Sequence, residues 1–319
     1  MKTLRVGVLG CADIAIRRVL PAFAAVPGVE VVAVASRDST KAALTAARFN
    51  CEAIAGYENL LARHDIDAVY IPVPAALHGS WTLAALEAGL HVLCEKPLTT
   101  SLEETTKLVT LADEKGLVLM ENFMFLHHHQ NETVRQLVAE GAIGELRSFT
   151  SAFTIPSLSK DDIRYQPELG GGSLLDVGVY PLRAAQLFLG AELEVRGASL
   201  RYVAGVDVAG EALLRNLDGL TAQITFGMEH VYRSSYELWG SEGHIRVGRA
   251  FSPPIDHHPR VLIERPDGQK ELVLEPDDQY ANAVEHFVLA VGSHAHGDGG
   301  EQTIALAHLV DRVQRCSSG

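Results

Sequence analysis

The segment LRVGVLGCADIA, residues 4–15, decides the first half of the fold. Its apolar run leads directly into Gly10 and then into a helical pattern, which is the order of a strand, a tight turn and a helix. Further apolar runs follow at VEVVAVAS, AVYIPVP, HVLCEKP and LVLMEN, with helical patterns between them. Apolar strands that alternate with helices predict a parallel sheet covered on both faces. Residues 1–122 are therefore predicted to form a doubly wound α/β domain.

The second half of the chain has a different pattern. From about Gly144 onward, stretches such as LTAQITFGM (220–228) alternate apolar and polar residues, which is typical of an antiparallel sheet with one covered face. Helical patterns are expected near 173–189, 277–292 and 301–315, with HAHGDGG as a short connector before the last. Residues 123–319 are predicted to form an α+β domain with a large, mostly antiparallel open sheet.

Composition limits the kinds of partner. The 319 residues carry a net charge of −13, which argues against nucleic acid or an anionic membrane surface. No apolar run approaches the ~20 residues of a membrane span. The four cysteines are scattered without a C-x-x-C pair, so we expect neither disulfides nor a zinc site. A cytoplasmic protein is the simplest interpretation.

The turn after the first strand indicates a dinucleotide cofactor. GCADIA fits the pattern G-x-G-x-x-[GA], with Ala12 at the middle position and Ala15 at the last. Because this loop approaches the pyrophosphate with its backbone, the predicted cofactor-binding residues here are Gly10, Cys11, Ala12, Asp13 and Ile14. The first domain is accordingly predicted to be a Rossmann domain.

The end of the second predicted strand favours NADP(H) over NAD. Ser36 and Arg37 stand where NAD-dependent enzymes generally place an acid for the ribose 2′-hydroxyl. A guanidinium beside a hydroxyl suits a 2′-phosphate, because its fork donates to two phosphate oxygens. Asp38 follows directly and keeps NAD as an alternative.

A charged pair ends the fourth predicted strand, in HVLCEKPLTTSLEE (91–104). Glu95, Lys96 and Pro97 interrupt the apolar run, and Ser101 with Glu104 has the spacing of a capping box that starts the next helix. Open parallel sheets bind ligands at the carboxyl ends of their strands. Glu95 and Lys96 are therefore expected beside the cofactor.

Four motifs in order resemble those of the glucose–fructose oxidoreductase, inositol dehydrogenase and MocA family: GCADIA, PVPAALH, EKP and GGGSLLDVGVYPL. ENFMFLHHHQ, DIRY and TFGMEH look like the NDP-hexose 3-ketoreductases of antibiotic deoxysugar pathways. The resemblance spans nearly the whole chain. It implies a Rossmann domain followed by an α+β domain whose open sheet often mediates dimers or tetramers.

The resemblance also implies roles for particular residues. Lys96 matches the catalytic lysine of the family. Its second motif, an aspartate followed four residues later by a histidine, corresponds here to Asp176 and Tyr180. His78, together with Pro72 and Pro74, matches the loop along the cofactor.

These residues predict a ketone reduction. A protonated Lys96 polarises the carbonyl oxygen, Tyr180 donates the proton and Asp176 orients the site. Tyrosine titrates near ~10, so it holds its proton at neutral pH and suits donation. The hypothesis is an NADPH-dependent reductase of the C-3 keto group of a nucleotide-linked, dTDP-type deoxyhexose. The alternatives are a polyol, inositol or dihydrodiol dehydrogenase of the same family, and a catalytically silent NADP-binding regulator.

The diphosphate of such a substrate needs local donors in this acidic chain. Arg164 beside Tyr165 is the first candidate, with Lys160 behind it, and solvent-facing charge is the alternative. The glycine run 170–172 is expected either to approach a ligand or anion or to be an ordinary loop. The run 127–129, HHH, is not expected to bind metal, because no carboxylate lies at ligand spacing in the sequence.

Overall fold

The structure is a computed structural model that describes residues 3–293 and 300–317. The predicted HAHGDGG connector falls, except for its last residue, on residues 294–299, which lie outside the described residues. No helix in the described part of the chain combines the length and the apolarity that a membrane span requires.

The chain divides into two compact units. The first consists of Met1–Met124 with Tyr280–Ile304, and the second of Phe125–Gln279 with Ala305–Gly319. The predicted domain limits, 1–122 and 123–319, stay a prediction. In the structure the first unit also takes in residues 280–304, a segment of the predicted second domain.

The first unit contains a parallel sheet of six strands in the order β3-β2-β1-β4-β5-β6. Its strands are β1 (Leu4–Leu9), β2 (Val29–Ser36), β3 (Glu52–Ala55), β4 (Ala68–Ile71), β5 (His91–Glu95) and β6 (Leu119–Asn122). The strand order reverses between β1 and β4, where doubly wound sheets bind dinucleotides. The short β3 was not predicted, because most of its residues are exposed and its apolar run, AIA, is only three residues long.

Helices follow the predicted strands of the first unit as expected, and the short helix Tyr57–Leu61 was not predicted. A π-helical turn, Ala15–Val19, leads into α1 (Leu20–Ala25), and the later helices are α2 (Ser39–Phe49), α3 (Tyr57–Leu61), α4 (His78–Glu87) and α5 (Leu102–Lys115). Every residue of β4 is buried, as expected for a strand covered on both faces. Apolar residues of these helices, among them Leu60, Leu86 and Leu108, pack with the strands in one core.

Two of these helices begin at capping side chains. The Asp38 carboxylate accepts hydrogen bonds from the backbone N–H groups of Thr40 and Lys41 at 2.9 and 3.2 Å and so starts α2. The Ser101 hydroxyl accepts from the N–H of Glu104 at 3.4 Å, so α5 begins where the capping-box spacing predicts.

The second unit contains a sheet of eight strands in the order β14-β13-β12-β11-β7-β10-β9-β8. Its strands are β7 (Leu146–Thr154), β8 (Leu193–Val203), β9 (Val206–Asn216), β10 (Thr221–Gly227), β11 (Arg233–Gly240), β12 (His244–Gly248), β13 (Arg260–Arg265) and β14 (Gly268–Val273). All neighbours are antiparallel except β7 and β10. Burial alternates along β9 and β11, which confirms a sheet with one covered face and the predicted fold class.

Four further helices complete the described chain: α6 (His129–Ala139), α7 (Val179–Leu189), α8 (Gln279–Ser293) and α9 (Gly300–Ser317). α7 packs on β7 and β10 and covers the buried face of the second sheet. A π-helical turn, Leu174–Gly178, runs directly into α7 and carries Asp176.

Candidate functional site

The turn after β1 requires a glycine. Gly10 has a φ of +129°, and a Cβ placed there would lie 3.3 Å from the side chain of Val73 and 3.7 Å from that of Pro72. A side chain there would be strained by the positive φ and would also require Val73, in the loop after β4, to shift by a few tenths of an ångström. Ala15, the last position of the predicted motif, is fully buried, so a larger residue would not fit there either.

The residues between Gly10 and Ala15 differ in exposure. Cys11 is buried, and its Sγ lies 4.0 Å from the carbonyl oxygen of Ala35. Ala12 and Ile14 are half-buried, whereas Asp13 is exposed and forms an ion pair with Arg17 one turn later in the helix. Cofactor binding by this loop stays a prediction.

At the end of β2, Arg37 is exposed while Ser36 is buried. The Ser36 hydroxyl accepts a hydrogen bond from the backbone N–H of Asp38 at 3.1 Å. Burial raises the pKa of the Tyr57 hydroxyl, and the nearby Arg37 guanidinium partly offsets that rise. Arg37 and Asp38 are both exposed at this strand end, and Asp38 caps α2 through Oδ1.

The loop after β4 ends at His78, the first residue of α4. His78 is 2% exposed, and both of its ring nitrogens face backbone carbonyl oxygens: Nδ1 lies 2.7 Å from that of Pro97 and Nε2 lies 2.7 Å from that of Val73. Burial lowers the pKa of this imidazole. Pro72 is buried and Pro74 half-buried in the same loop. Contact of these three residues with the cofactor stays a prediction.

The turn after β5 is held by side chains from both neighbouring strands. The Tyr70 hydroxyl of β4 and the Asn122 amide of β6 each donate a hydrogen bond to Glu95 Oε1 at 2.7 Å. Burial raises the pKa of Glu95, and these two donors partly offset the effect. The half-buried Lys96 follows, and its peptide bond to Pro97 is cis.

In the second unit, Tyr180 lies in the first turn of α7 within an aromatic cluster. It is 6% exposed, and its ring centroid lies 5.2 Å from that of Phe153, 5.7 Å from that of Phe251 and 5.8 Å from that of Phe125. The ring is therefore fixed by packing, which would give its hydroxyl a defined position.

Asp176 and Arg164, which the sequence suggested for different roles, form an ion pair. Arg164 Nε lies 2.5 Å from Asp176 Oδ2, and Nη1 lies 3.2 Å from Asp162 Oδ1. Partial burial alone would lower the pKa of Arg164, but the two carboxylates raise it overall. Arg164 thus neutralises the carboxylate that lies one helical turn before Tyr180. Its predicted contact with a substrate diphosphate stays a prediction.

Tyr165, unlike the ion-paired Arg164, contacts apolar side chains of the protein interior. It packs against Val206, Val208 and Met228, and its hydroxyl accepts a hydrogen bond from the N–H of Leu158 at 3.4 Å. These contacts do not test its predicted role in substrate binding. Lys160 is exposed in the preceding turn.

Asp207 is a residue that sequence reasoning missed. It is buried in β9, where its Oδ2 accepts hydrogen bonds from the Ser173 hydroxyl at 2.6 Å and from the Leu174 N–H at 2.7 Å. Burial raises the pKa of this carboxyl. Gly172 has a φ of +117°, and a Cβ there would collide with Asp207. The glycine run therefore leaves room for the buried carboxylate of Asp207. In the sequence, the one sign of this residue was an acid within the apolar stretch VDVAG (206–210).

The structure brings a carboxylate to the histidine run, although none is near it in sequence. His129 Nδ1 lies 2.9 Å from Asp277 Oδ2, and His128 Nδ1 lies 3.6 Å from the same oxygen. These three side chains form a candidate metal cluster. However, Nδ1 of His128 already accepts the N–H of Gln130 at 3.2 Å, and Asp277 Oδ2 accepts the N–H of His129 at 2.9 Å. The expectation that this run binds no metal stays a prediction.

His128 should make the protein less stable in mild acid. Burial lowers its pKa from 6.5 to about 4, so the unfolded chain takes up the proton first as the pH falls through that interval. Stability is then complete above about pH 6.5 and decreases toward pH 4, by up to about 1.4 kcal/mol per pH unit from this residue. Urea unfolding at about pH 7 and about pH 5 measures the effect.

His128→Asn is the matched variant for this experiment, because asparagine does not titrate and still accepts the N–H of Gln130. Its free energy of unfolding should decrease less between the two pH values than that of the wild type. Equal decreases in the two proteins would rule out His128 as the cause.

Comparisons with known proteins agree with this architecture. Residues 4–123 match the oxidoreductase family with an NAD-binding Rossmann fold (GFO/IDH/MocA), and residues 131–246 match the GFO/IDH/MocA C-terminal domain. The dTDP-3,4-didehydro-2,6-dideoxy-alpha-D-glucose 3-reductase of Streptomyces violaceoruber is 52% identical over 329 aligned residues, which cover 99% of this chain and 96% of that enzyme.

Two solved structures are similarly close. The crystal structure of a 3-ketoreductase from Actinomadura kijaniata in complex with NADP and TDP-benzene is 51% identical, covers 99% of this chain and 98% of that chain, and has a TM-score of 0.96. A variant of that enzyme with a tyrosine replaced by phenylalanine, in complex with the same two ligands, has the same identity, coverage and TM-score. On the strength of two matched domains and relatives of this similarity, the chain belongs to the GFO/IDH/MocA oxidoreductase family.

Proposed function

We propose that this protein is an NADPH-dependent ketoreductase that reduces the C-3 keto group of a dTDP-linked deoxyhexose. The main support is the 52% identity, over nearly the full length of both chains, to an enzyme named as a 3-reductase of such a sugar. Similarity of this extent to a 3-ketoreductase solved with NADP and TDP-benzene supports the same substrate class and cofactor.

The residues at the switch point of the first sheet fit NADP(H). Gly10 forms the tight turn after β1 with a positive φ, and without a side chain its backbone can lie close to a pyrophosphate. Arg37 is exposed at the end of β2, and Asp38 uses Oδ1 of its carboxylate as a helix cap. This arrangement agrees with the preference for a 2′-phosphate that the sequence predicts.

In the proposed reaction, the side chains of Lys96 and Tyr180 both act on the carbonyl oxygen of the substrate. When bound, NADPH supplies the hydride that the carbonyl carbon accepts. The ammonium of Lys96 stabilises the negative charge that develops on the carbonyl oxygen. The hydroxyl of Tyr180 donates its proton to that oxygen, and Asp176, neutralised by Arg164, orients the start of α7.

Arg164 and Tyr165 are proposed to contact the substrate near its diphosphate. A homodimer or homotetramer and a cytoplasmic location agree with the family's open sheet and with the acidic composition, and we propose both.

The proposal is tested by mixing purified protein with NADPH and a dTDP-linked 3-keto sugar and following absorbance at ~340 nm, where reduced nicotinamide absorbs. Turnover of the nucleotide-linked sugar, with none on free inositols or free sugars, is the expected result. Oxidation of free polyols without any reduction of the dTDP-sugar would favour the polyol dehydrogenase alternative.

Arg37 should decide between the two nicotinamide cofactors. Replacing it by aspartate in Arg37→Asp removes a charge-assisted bond to the 2′-phosphate and should lower kcat/KM for NADPH by about 10- to 150-fold. The value for NADH should change little or increase. The measurement is the ratio of kcat/KM for NADPH and NADH.

Arg48→Asp is the matched control for that experiment, because Arg48 is exposed on α2 and the change of net charge is the same. The ratio should stay at the wild-type value in the control. If the ratio of kcat/KM for NADPH and NADH is unchanged in Arg37→Asp, Arg37 does not select the cofactor.

A further inference from the structure

The contacts of His78 join two neighbouring strand ends of the first unit. Val73 lies in the loop after β4, and Pro97 lies in the turn after β5. The imidazole of His78 stands between their carbonyl oxygens at 2.7 Å from each, and it is almost completely buried. A neutral imidazole carries one N–H and donates to one of these two oxygens; with the proton on Nδ1, the acceptor is the carbonyl oxygen of Pro97.

Pro97 is the residue directly after Lys96, and the peptide unit that follows it is held at both of its polar ends. The carbonyl oxygen of Pro97 faces His78, while the N–H of Leu98 in the same peptide plane donates a hydrogen bond to Glu121 Oε1 at 2.8 Å. A planar peptide fixed at its oxygen and at its nitrogen cannot rotate without losing one of the two contacts.

The residue before Lys96 is held as well. Glu95 accepts hydrogen bonds from Tyr70 and Asn122, so side chains fix the backbone on both sides of Lys96. The ring of Pro97 restricts φ at the next position. The fixed backbone sets the direction in which the flexible Lys96 side chain leaves the turn, and His78 supplies the contact with the turn on one side.

We propose that His78 is a positioning residue for Lys96: it holds the carbonyl of Pro97 and thereby directs the lysine toward the reacting carbonyl. This inference rests on the proposed reductase function. In this role His78 acts on Lys96 through the backbone of the turn, whether or not it also lies along the cofactor. A displacement of about 1 Å of a catalytic group can cost on the order of 10²-fold in rate, so a loosened turn would be seen in kcat.

A matched pair of variants tests the role. His78→Leu keeps a similar volume and removes both polar contacts, whereas the amide of His78→Gln can donate to backbone carbonyls. We expect kcat to fall about 10- to 100-fold in His78→Leu, with the dissociation constant for NADPH within about 3-fold of the wild type. His78→Gln should recover a large part of kcat.

A double-mutant cycle with Lys96→Met separates positioning from general loss of structure. If His78 acts through Lys96, adding His78→Leu to Lys96→Met should lower kcat by less than about 3-fold further. His91→Leu serves as the control, since His91 lies at the opposite end of β5 and its Nδ1 accepts the N–H of Val118 at 2.9 Å. This control should lower thermal stability while kcat stays near the wild-type value.

The outcomes distinguish this proposal from the proposed function. If the wild-type protein reduces no dTDP-linked keto sugar, the proposed function is contradicted. Crystal structures of the wild type and His78→Leu then decide the positioning role. If Lys96 has the same position in both structures, the positioning role is overturned. If the wild type is active, wild-type kcat in His78→Leu, or a full additional loss in the Lys96→Met background, overturns the positioning role alone.

Discussion

Lys96→Met should lower kcat by about 10²- to 10³-fold, the usual cost of removing one group that stabilises a developing oxyanion. Methionine keeps most of the length of the side chain and removes the ammonium. The charge on the carbonyl oxygen then develops without the ammonium, while the contacts of Glu95 and Pro97 that hold the turn remain. Steady-state kinetics with the dTDP-linked keto sugar give kcat, and fluorescence titration gives the affinity for NADPH.

The affinity for NADPH should stay within a few-fold of the wild type, because the dinucleotide is bound mainly elsewhere in the Rossmann unit. Lys107→Met is the matched control: Lys107 is exposed on α5 and pairs only with Glu103 among the ion pairs of the described residues. It should keep wild-type kcat. A wild-type kcat in Lys96→Met would leave the proposed mechanism without its electrostatic component.

Tyr180→Phe should lower kcat by about 10²- to 10⁴-fold, the range typical of a positioned proton donor. The substitution removes one oxygen atom. The ring contacts with Phe125, Phe153 and Phe251 involve the aromatic ring itself, so the packing of α7 should be preserved. The folded structure should therefore be retained while the rate falls, and circular dichroism at the assay temperature together with kcat checks both statements.

Tyr236→Phe is the control that removes a buried hydroxyl without a proposed catalytic role. The Tyr236 hydroxyl donates to Asn131 Oδ1 at 2.8 Å, so its loss should cost stability, about 1–3 kcal/mol for the orphaned acceptor, and leave kcat unchanged. The opposite pattern, with a stable but inactive Tyr236→Phe and an active Tyr180→Phe, would contradict the assignment of the proton donor.

Most of the fold could be predicted because its signals are local. The apolar runs of β1, β2, β4, β5 and β6 and the alternation along β10 follow from which faces of a sheet are covered. The capping serine of α5 lies next to the helix that it starts. β3 escaped detection because burial, the source of an apolar pattern, is nearly absent there. The candidate cofactor loop was found for the same local reason, since a tight turn between a strand and a helix needs glycine.

Pairing between distant side chains was decided by the tertiary structure. His129 contacts Asp277 across 148 positions, Asp207 reaches Ser173 across 34, and Arg164 is paired with Asp176. Sequence spacing cannot predict such pairs, because they depend on how loops and strand ends approach one another after the chain has folded.

By itself, the amino-acid sequence determined the strand and helix pattern, the glycine turn, the family and the identity of the chemically capable side chains. Only the tertiary structure decided that Asp38 is used as a cap, that Arg164 neutralises Asp176 and that His78 holds the turn after Lys96. The reason is physical: periodicity and turn chemistry act over a few residues, whereas a hydrogen bond or ion pair forms wherever folding brings a donor within about 3 Å of an acceptor.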